Sequence, residues 1–338
     1  MSGLPPAREH RRGIGMTILA MAAIALAIGS VFVGSRTIAP HAIVDALVSP
    51  HGGDDALVVW HSRLPRAVIA LCAGGCLGMA GALMQSLTRN ALAEPGTLGI
   101  NSGAAAGVVC ALLQGNATIE TYVWFSFAGS ALAAVLVHRL GRAHEAGHNP
   151  VRLVLAGAGV SVTLGSFTTL GILAGPQSVF SGMRSWATGS LEGRGWDVVP
   201  ILLASLIAGA LACLYLAGSL NSTTLGAEMG RSLGVNIPLT WGLTNVTIIV
   251  LAGAATAAIG PVGFVGLAAP HMARYLGGTD HRWLLSLSGL FAMVVLLLAD
   301  IGGRLVVAPN EIGAGIMSAL IGAPFFIALV RRGKVSGL

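Results

Sequence analysis

Long apolar runs, broken by short polar intervals, set the pattern of this chain. Ten runs can be marked, at residues 14–35, 64–85, 97–114, 119–138, 151–173, 197–217, 240–259, 262–276, 283–303 and 313–330. A helix that crosses the hydrocarbon core needs about 20 apolar residues, and most of these runs meet that length. The pattern predicts an all-α, polytopic membrane protein of about ten transmembrane helices with short loops. Residues 1–338 then form a single transmembrane domain, and residues 1–13 a tail before the first span. The eighth run is short. Glycine and proline interrupt it in "AAIGPVGFVGLAAPHMARYLGG". Non-helical backbone at membrane depth needs protein or a water-filled cavity around it, so this stretch is either part of a transport path or a loop between two ordinary helices.

The polar intervals are less uniform than the runs. The longest hydrophilic interval, "SLNSTTLGAEMGRSLGVNIP", covers residues 219–238. A short helix over Thr223–Leu233 is expected within it, carrying Glu228 and Arg231 and ending at Gly234, with Pro238 opening the next span. An amphipathic helix of this kind can dock into a partner's groove; otherwise it is a solvated loop. Glycines four apart, at Gly74 and Gly78 and at Gly99, Gly103 and Gly107, suit close helix approach.

Composition supports the membrane reading. The chain is 54% hydrophobic and 9% charged, against about 25% charge in an ordinary soluble domain, and its mean hydropathy is +0.81. The first run follows Arg8, Arg11 and Arg12 and is longer than the apolar core of a cleaved signal peptide, about 7–15 residues. It reads as a retained span.

The 19 lysines and arginines divide unevenly. With the N-terminus inside, Arg8, Arg11, Arg12, Arg89, Arg139, Arg142, Arg152, Arg231, Arg274, Arg282, Arg331, Arg332 and Lys334 lie on the inner side. Arg36, Arg63, Arg66, Arg184, Arg194 and Arg304 lie on the outer side. This asymmetry places both termini in the cytoplasm. It also leaves arginines where they are normally scarce. They either reach toward headgroups or receive an acidic partner, for which the planar guanidinium fork is suited.

No catalytic constellation emerges. There is no G-x-x-x-x-G-K-[ST] phosphate loop, and His271 and His281 lack a zinc-enzyme spacing. Cys72, Cys76, Cys110 and Cys213 lie within apolar runs and read as free buried thiols. Asp300 and Arg304 stand four apart on one helix, which reads as an ion pair or, for Asp300, as a proton relay.

The stretches "RLPRAVIALCAGGCLGMAGALMQSLTRNALAEPGTLGINSGA", "RLVLAG", "LGAEMGRSLGV", "GPVGFVGLAAPHMARYLGGTDHR", "LLLADIGGRL" and "EIGAGIMSALIGAPFFIALVRR" follow one another from about residue 60 to 332. In this they resemble permeases of the iron-siderophore, haem and cobalamin (FecCD-type) importers, the membrane subunits of type II ATP-binding-cassette systems. Within that family "LMQSLTRN", "GTDHRW" and "ADIGGRLVV" look most like ferric enterobactin permeases. The resemblance implies a transport subunit without enzyme activity, in a bacterial cytoplasmic (inner) membrane. It implies a second permease subunit (copy or paralogue), two ATPase subunits and a substrate-binding protein as partners, with no nucleic acid. No cofactor or metal is expected on this chain, and ATP and Mg are expected on the ATPase.

Site residues follow from the same resemblance. Arg63, Arg66 and Arg304 would dock the binding protein. Leu225, Gly226, Glu228, Arg231, Leu233 and Gly234, in the 219–238 coupling segment, would meet the ATPase. Asn90, Leu92, Pro150 and Val151 would form the cytoplasmic gate. Asn90-Ala91-Leu92 departs from the family's Asn-Pro-Leu, and the 150–151 position lacks the hydroxyls of the cobalamin transporter. The expected cargo is a ferric siderophore of the catecholate type, moved by alternating access. Haem or cobalamin is the alternative within the family, and an ion-coupled carrier using Asp300 is the alternative outside it.

Overall fold

The computed structural model describes residues 6–49, 53–115, 118–141, 150–224 and 226–331. Fourteen α-helices follow in order: α1 (Pro6–Phe32), α2 (Pro40–Val48), α3 (Asp54–Val58), α4 (Leu64–Thr88), α5 (Ile100–Leu113), α6 (Ile119–Leu140), α7 (Pro150–Ala174), α8 (Gln177–Ala187), α9 (Val199–Thr224), α10 (Ala227–Ser232), α11 (Ile237–Ile259), α12 (Val265–Gly277), α13 (His281–Val306) and α14 (Ala314–Arg331). No strand occurs among the described residues. Each of the ten apolar runs holds one helix. Seven of these are long and apolar enough to cross a membrane; α5, α12 and α14 are shorter.

The bundle is organised around α4. A single π turn at Val59–Arg63 joins α3 to α4, so the helical run is continuous from Asp54 to Thr88. Of its most apolar window 89% is buried, against 17% for α1 and 22% for α7. Helix α4 packs on α13, α11, α12, α9 and α1, while α5, α6 and α7 form a flanking group. Small residues explain the central position. Gly78 lies against the Ser288 carbonyl of α13, and Gly81 against the Gly266 carbonyl of α12. In an apolar surround, where lipid and leucine are equivalent, such close backbone approach is what holds helices together.

Three expectations change on inspection. Residues 6–13, read as part of a tail, belong to α1; Pro6 opens the helix and the Ala, Arg and Glu that follow are compatible with it. The short helix expected over Thr223–Leu233 is confined to Ala227–Ser232, because Thr223 and Thr224 remain in α9 with hydroxyls on the Leu220 and Asn221 carbonyls. The amphipathic α8 lies in an interval left unassigned by the apolar pattern.

The interruption before α12 is real and lies inside the protein. Gly260 and Phe264 have positive φ, and Gly260 and Val262 are buried. The Phe264 N–H donates to Glu94 Oε1 at 3.2 Å, and Ser318 Oγ donates to the Gly263 carbonyl at 3.1 Å. Side chains from elsewhere thus satisfy backbone groups that the broken helix leaves open.

Candidate functional site: two polar ends of the central helix

The three arginines expected to face outward are buried at the start of α4 and at the end of α13. Arg63 donates to the Val31 and Arg36 carbonyls, at 2.8 and 2.6 Å. Arg66 donates Nε and Nη2 to Asp300 Oδ1, at 2.9 and 2.8 Å, and Nη1 to Glu311 Oε2 at 2.7 Å. Arg304 donates Nη2 to Asp300 Oδ2 at 2.6 Å, and Nη1 to the Ser30 and Val33 carbonyls. Arg63 and Arg304 therefore satisfy carbonyls around the C-terminal end of α1, where cations complement the helix dipole. Open presentation of these side chains is corrected: the forks are occupied by the chain's own acceptors. Of the other three arginines assigned to this side, Arg36 and Arg184 are exposed, and Arg36 pairs with Asp55 at 3.0 Å. Arg194 is buried, with Tyr122 beneath it.

The pair Asp300–Arg304 was legible from its i,i+4 spacing. The third member was not. Arg66 is 234 residues away from Asp300, and no local pattern reports such a partner.

The opposite end of α4 leads into the Asn90–Leu92 turn, one of the positions expected to form a gate. Arg89 closes α4 in a left-handed conformation. Asn90 Oδ1 then accepts the Leu92 N–H at 2.9 Å, a turn in which a short polar side chain substitutes for backbone. Asn90 is exposed and Leu92 is 41% exposed. Pro150 and Val151 begin α7; nothing further is described for them. Burial raises the Glu94 carboxyl above its ordinary range, against the N–H donated by Phe264.

Helix α10 packs on the end of α9 and the start of α11. Gly226, at φ 110°, precedes it, and Gly234, at φ 82°, follows it. The Val235 N–H returns to the Gly230 carbonyl at 3.0 Å, the hydrogen bond of a Schellman stop. Glu228, Arg231, Leu233 and Gly234 are exposed, as is Met229. Leu225 lies outside the described residues. Met229 escaped sequence reasoning, although it sits between two selected positions and is 52% exposed.

Two links, also missed, tie α10's neighbours to α4. Arg89 Nη2 donates to the Thr223 carbonyl at 2.9 Å. His281 joins α13 to both helices: its Nδ1 lies 2.8 Å from Asn221 Oδ1 and its Nε2 lies 2.8 Å from Ser86 Oγ. Asp280 caps α13, accepting from Arg282 N–H and from Asn221 Nδ2. Burial opposes its charge. These two hydrogen bonds and the Arg12 and Arg282 charges prevail, and hold its pKa below the ordinary aspartate value. An aspartate a few residues ahead of an apolar run, here Asp280 before the run at 283–303, is the sequence signal for such a cap.

Among the described residues no group of His, Cys, Asp and Glu is placed to hold a metal ion. The site consists of two polar clusters at opposite ends of one buried helix, suited to holding partners and transmitting movement.

Relatives share this chain's length. It is 41% identical over 320 residues to the ferric enterobactin transport system permease protein FepD of Escherichia coli (strain K12), covering 94% of each. It is 38% identical over 284 residues to the Fe(3+)-citrate import system permease protein YfmD of Bacillus subtilis (strain 168), covering 84% of each. A solved structure described as an inward-facing metal-chelate type ABC transporter superposes with a TM-score of 0.81 at 25% identity, over 95% of this chain and 99% of that one. The relatives are transport permeases, not enzymes. The FecCD transport family model matches residues 21–332, and the chain belongs to that family.

Proposed function

We propose that this chain is the membrane-spanning permease subunit of an ATP-binding-cassette importer, and that it carries a ferric siderophore of the catecholate type inward. The observation that carries this reading is the placement of α10. It is short and exposed, held between glycine stops at the end of α9, and α9 is tied to the gate turn by the Arg89–Thr223 bond. A partner that grips α10 can thereby move the end of α4. The similarity to FepD and to other iron-chelate permeases supports the cargo class.

In this reading a second permease subunit completes the path and two ATPase subunits engage α10, using ATP and Mg. A binding protein docks at the arginine end. Its acidic groups would reach Arg184 directly and Arg36 in competition with Asp55. They would reach Arg66 by displacing Glu311, the more exposed of its two carboxylate partners, with Arg63 and Arg304 holding the surface from beneath. The subunit lies in the bacterial inner membrane with both termini cytoplasmic. The Asn90–Leu92 turn and the start of α7, Pro150 and Val151, form the gate, and two states of access alternate as ATP is bound and released. The chain needs no cofactor of its own. A haem or cobalamin cargo has the same partners and is separated by the test below.

The ion-coupled reading is disfavoured by the environment of Asp300. Both of its carboxylate oxygens are engaged by arginine donors, so a sodium ion would meet two guanidinium charges at this carboxylate. The test is ATP hydrolysis by the reconstituted complex with its binding protein. Stimulation by a ferric catecholate, and not by haem or cobalamin, is expected. Uptake driven by an ion gradient without ATPase would overturn the importer reading.

A further inference from the structure

A cavity of about 310 Å³ opens at the α10 end of the bundle, lined by Ser86 and Arg89 of α4, Thr223 and Thr224 of α9, and Arg274 and His281 near the α12–α13 turn. Most of its polar groups are already engaged. Thr223 and Thr224 donate to backbone carbonyls, and His281 and Ser86 face one another. Arg274 is different. Its Nε, Nη1 and Nη2 are all buried and none has a hydrogen-bond partner among the described residues. Among the described residues no carboxylate lines the cavity. The nearest in sequence, Asp280, is committed to Asn221 and to the Arg282 N–H. A buried guanidinium with five unspent donors is costly, and a second arginine, Arg89 at the end of α4, also lines the cavity.

From this we infer that the cavity is an anion site for a phosphate group, held by Arg89 and by Arg274 once its unpartnered guanidinium turns from its closed position into the opening. Arginine forks match the oxygens of phosphate, and the bulk of the cavity leaves room for one such group with water. The site joins the ends of α4 and α9 and the α12–α13 turn. An occupant would therefore tie together the gate turn and the α9 end that leads into α10. The phosphate can be free in solution or carried by an anionic lipid headgroup.

The test uses the full chain in nanodiscs of phosphatidylcholine, with thermal unfolding followed at rising inorganic phosphate and constant ionic strength set by chloride. A second set of nanodiscs contains phosphatidylglycerol. Stabilisation by inorganic phosphate in the neutral discs, absent in Arg274→Met, establishes the site with a free anion. Stabilisation that requires phosphatidylglycerol and is absent in Arg274→Met establishes it with a headgroup. Arg89→Gln, a change at an exposed position, keeps the test open if Arg274→Met does not fold; it should raise the half-saturating concentration about tenfold, the loss of one charge-assisted bond. Phosphate and phosphatidylglycerol acting no differently from chloride and phosphatidylcholine, or acting on either variant as strongly as on the unmodified chain, would overturn the inference.

Discussion

Asp300 shows how one residue can settle the meaning of several others. Arg66 and Arg304 are buried charges that a membrane protein tolerates only with partners, and Asp300 supplies an acceptor to each. Removing one member of such a cluster leaves the rest buried and unpaired, at a cost of about 3–5 kcal/mol. Asp300→Asn should therefore lower the unfolding temperature of the purified chain sharply. Glu311→Gln should cost less, because Glu311 is the more exposed carboxylate and Arg66 keeps Asp300. Equal losses in the two variants, read by thermal unfolding in one detergent, would show that Asp300 does not hold the cluster together.

At the scale of elements, α10 combines weak attachment with apolar exposure. It has only six residues, and Met229 and Leu233 are 52% and 59% exposed. An apolar side chain this open on so short a helix contributes little to the fold and is available to a partner. Met229→Asp and Leu233→Asp should leave the permease folded and weaken its association with the ATPase about 10–100-fold each, the range of an interface anchor. Copurification with the ATPase, alongside unchanged thermal unfolding of the isolated permease, measures both halves of that expectation. The same helix marks the limit of sequence reading. Apolar runs located ten helices, since spanning length and burial are written locally. The Gly226 and Gly234 stops were half legible: Gly234 was expected to end the helix, whereas the separation of α9 from α10 at Gly226 was not. The Arg66–Asp300 pair and the Arg89–Thr223 bond are contacts between distant segments, and only the packed bundle brings them together. Arginine placement drew attention to Arg63, Arg66 and Arg304, but polarity alone could not tell a presented guanidinium from one spent on the end of α1 or on a buried carboxylate.

For the molecule as a whole, the outer faces of its helices differ in chemistry. The exposed face of α9 carries Leu203, Ile207, Leu211 and Leu214, as a lipid-facing helix should. Helix α7 is also little buried, yet exposes Thr163, Ser166 and Thr169, each bonded only to its own preceding turn. Gly159 and Gly165, nearby on α7, have open space where a side chain would stand. These hydroxyls and glycines lie among the exposed Leu155, Val162, Leu170 and Leu173, a mixed surface that suits close contact with a second permease subunit, or a wet path, better than the uniformly apolar face of α9 does. The cysteines allow this to be tested, because Cys72, Cys76 and Cys213 are buried and Cys110 alone is half-buried. In a Cys110→Ser background within the assembled membrane complex, Ser166→Cys should react with a charged, membrane-impermeant maleimide or cross-link to the partner subunit. Leu211→Cys should do neither, because a charged reagent does not enter the hydrocarbon layer. Labelling places α7 on the path and cross-linking places it on the subunit contact. If Ser166→Cys is as silent as Leu211→Cys, then α7 faces lipid and the path must be formed by other helices.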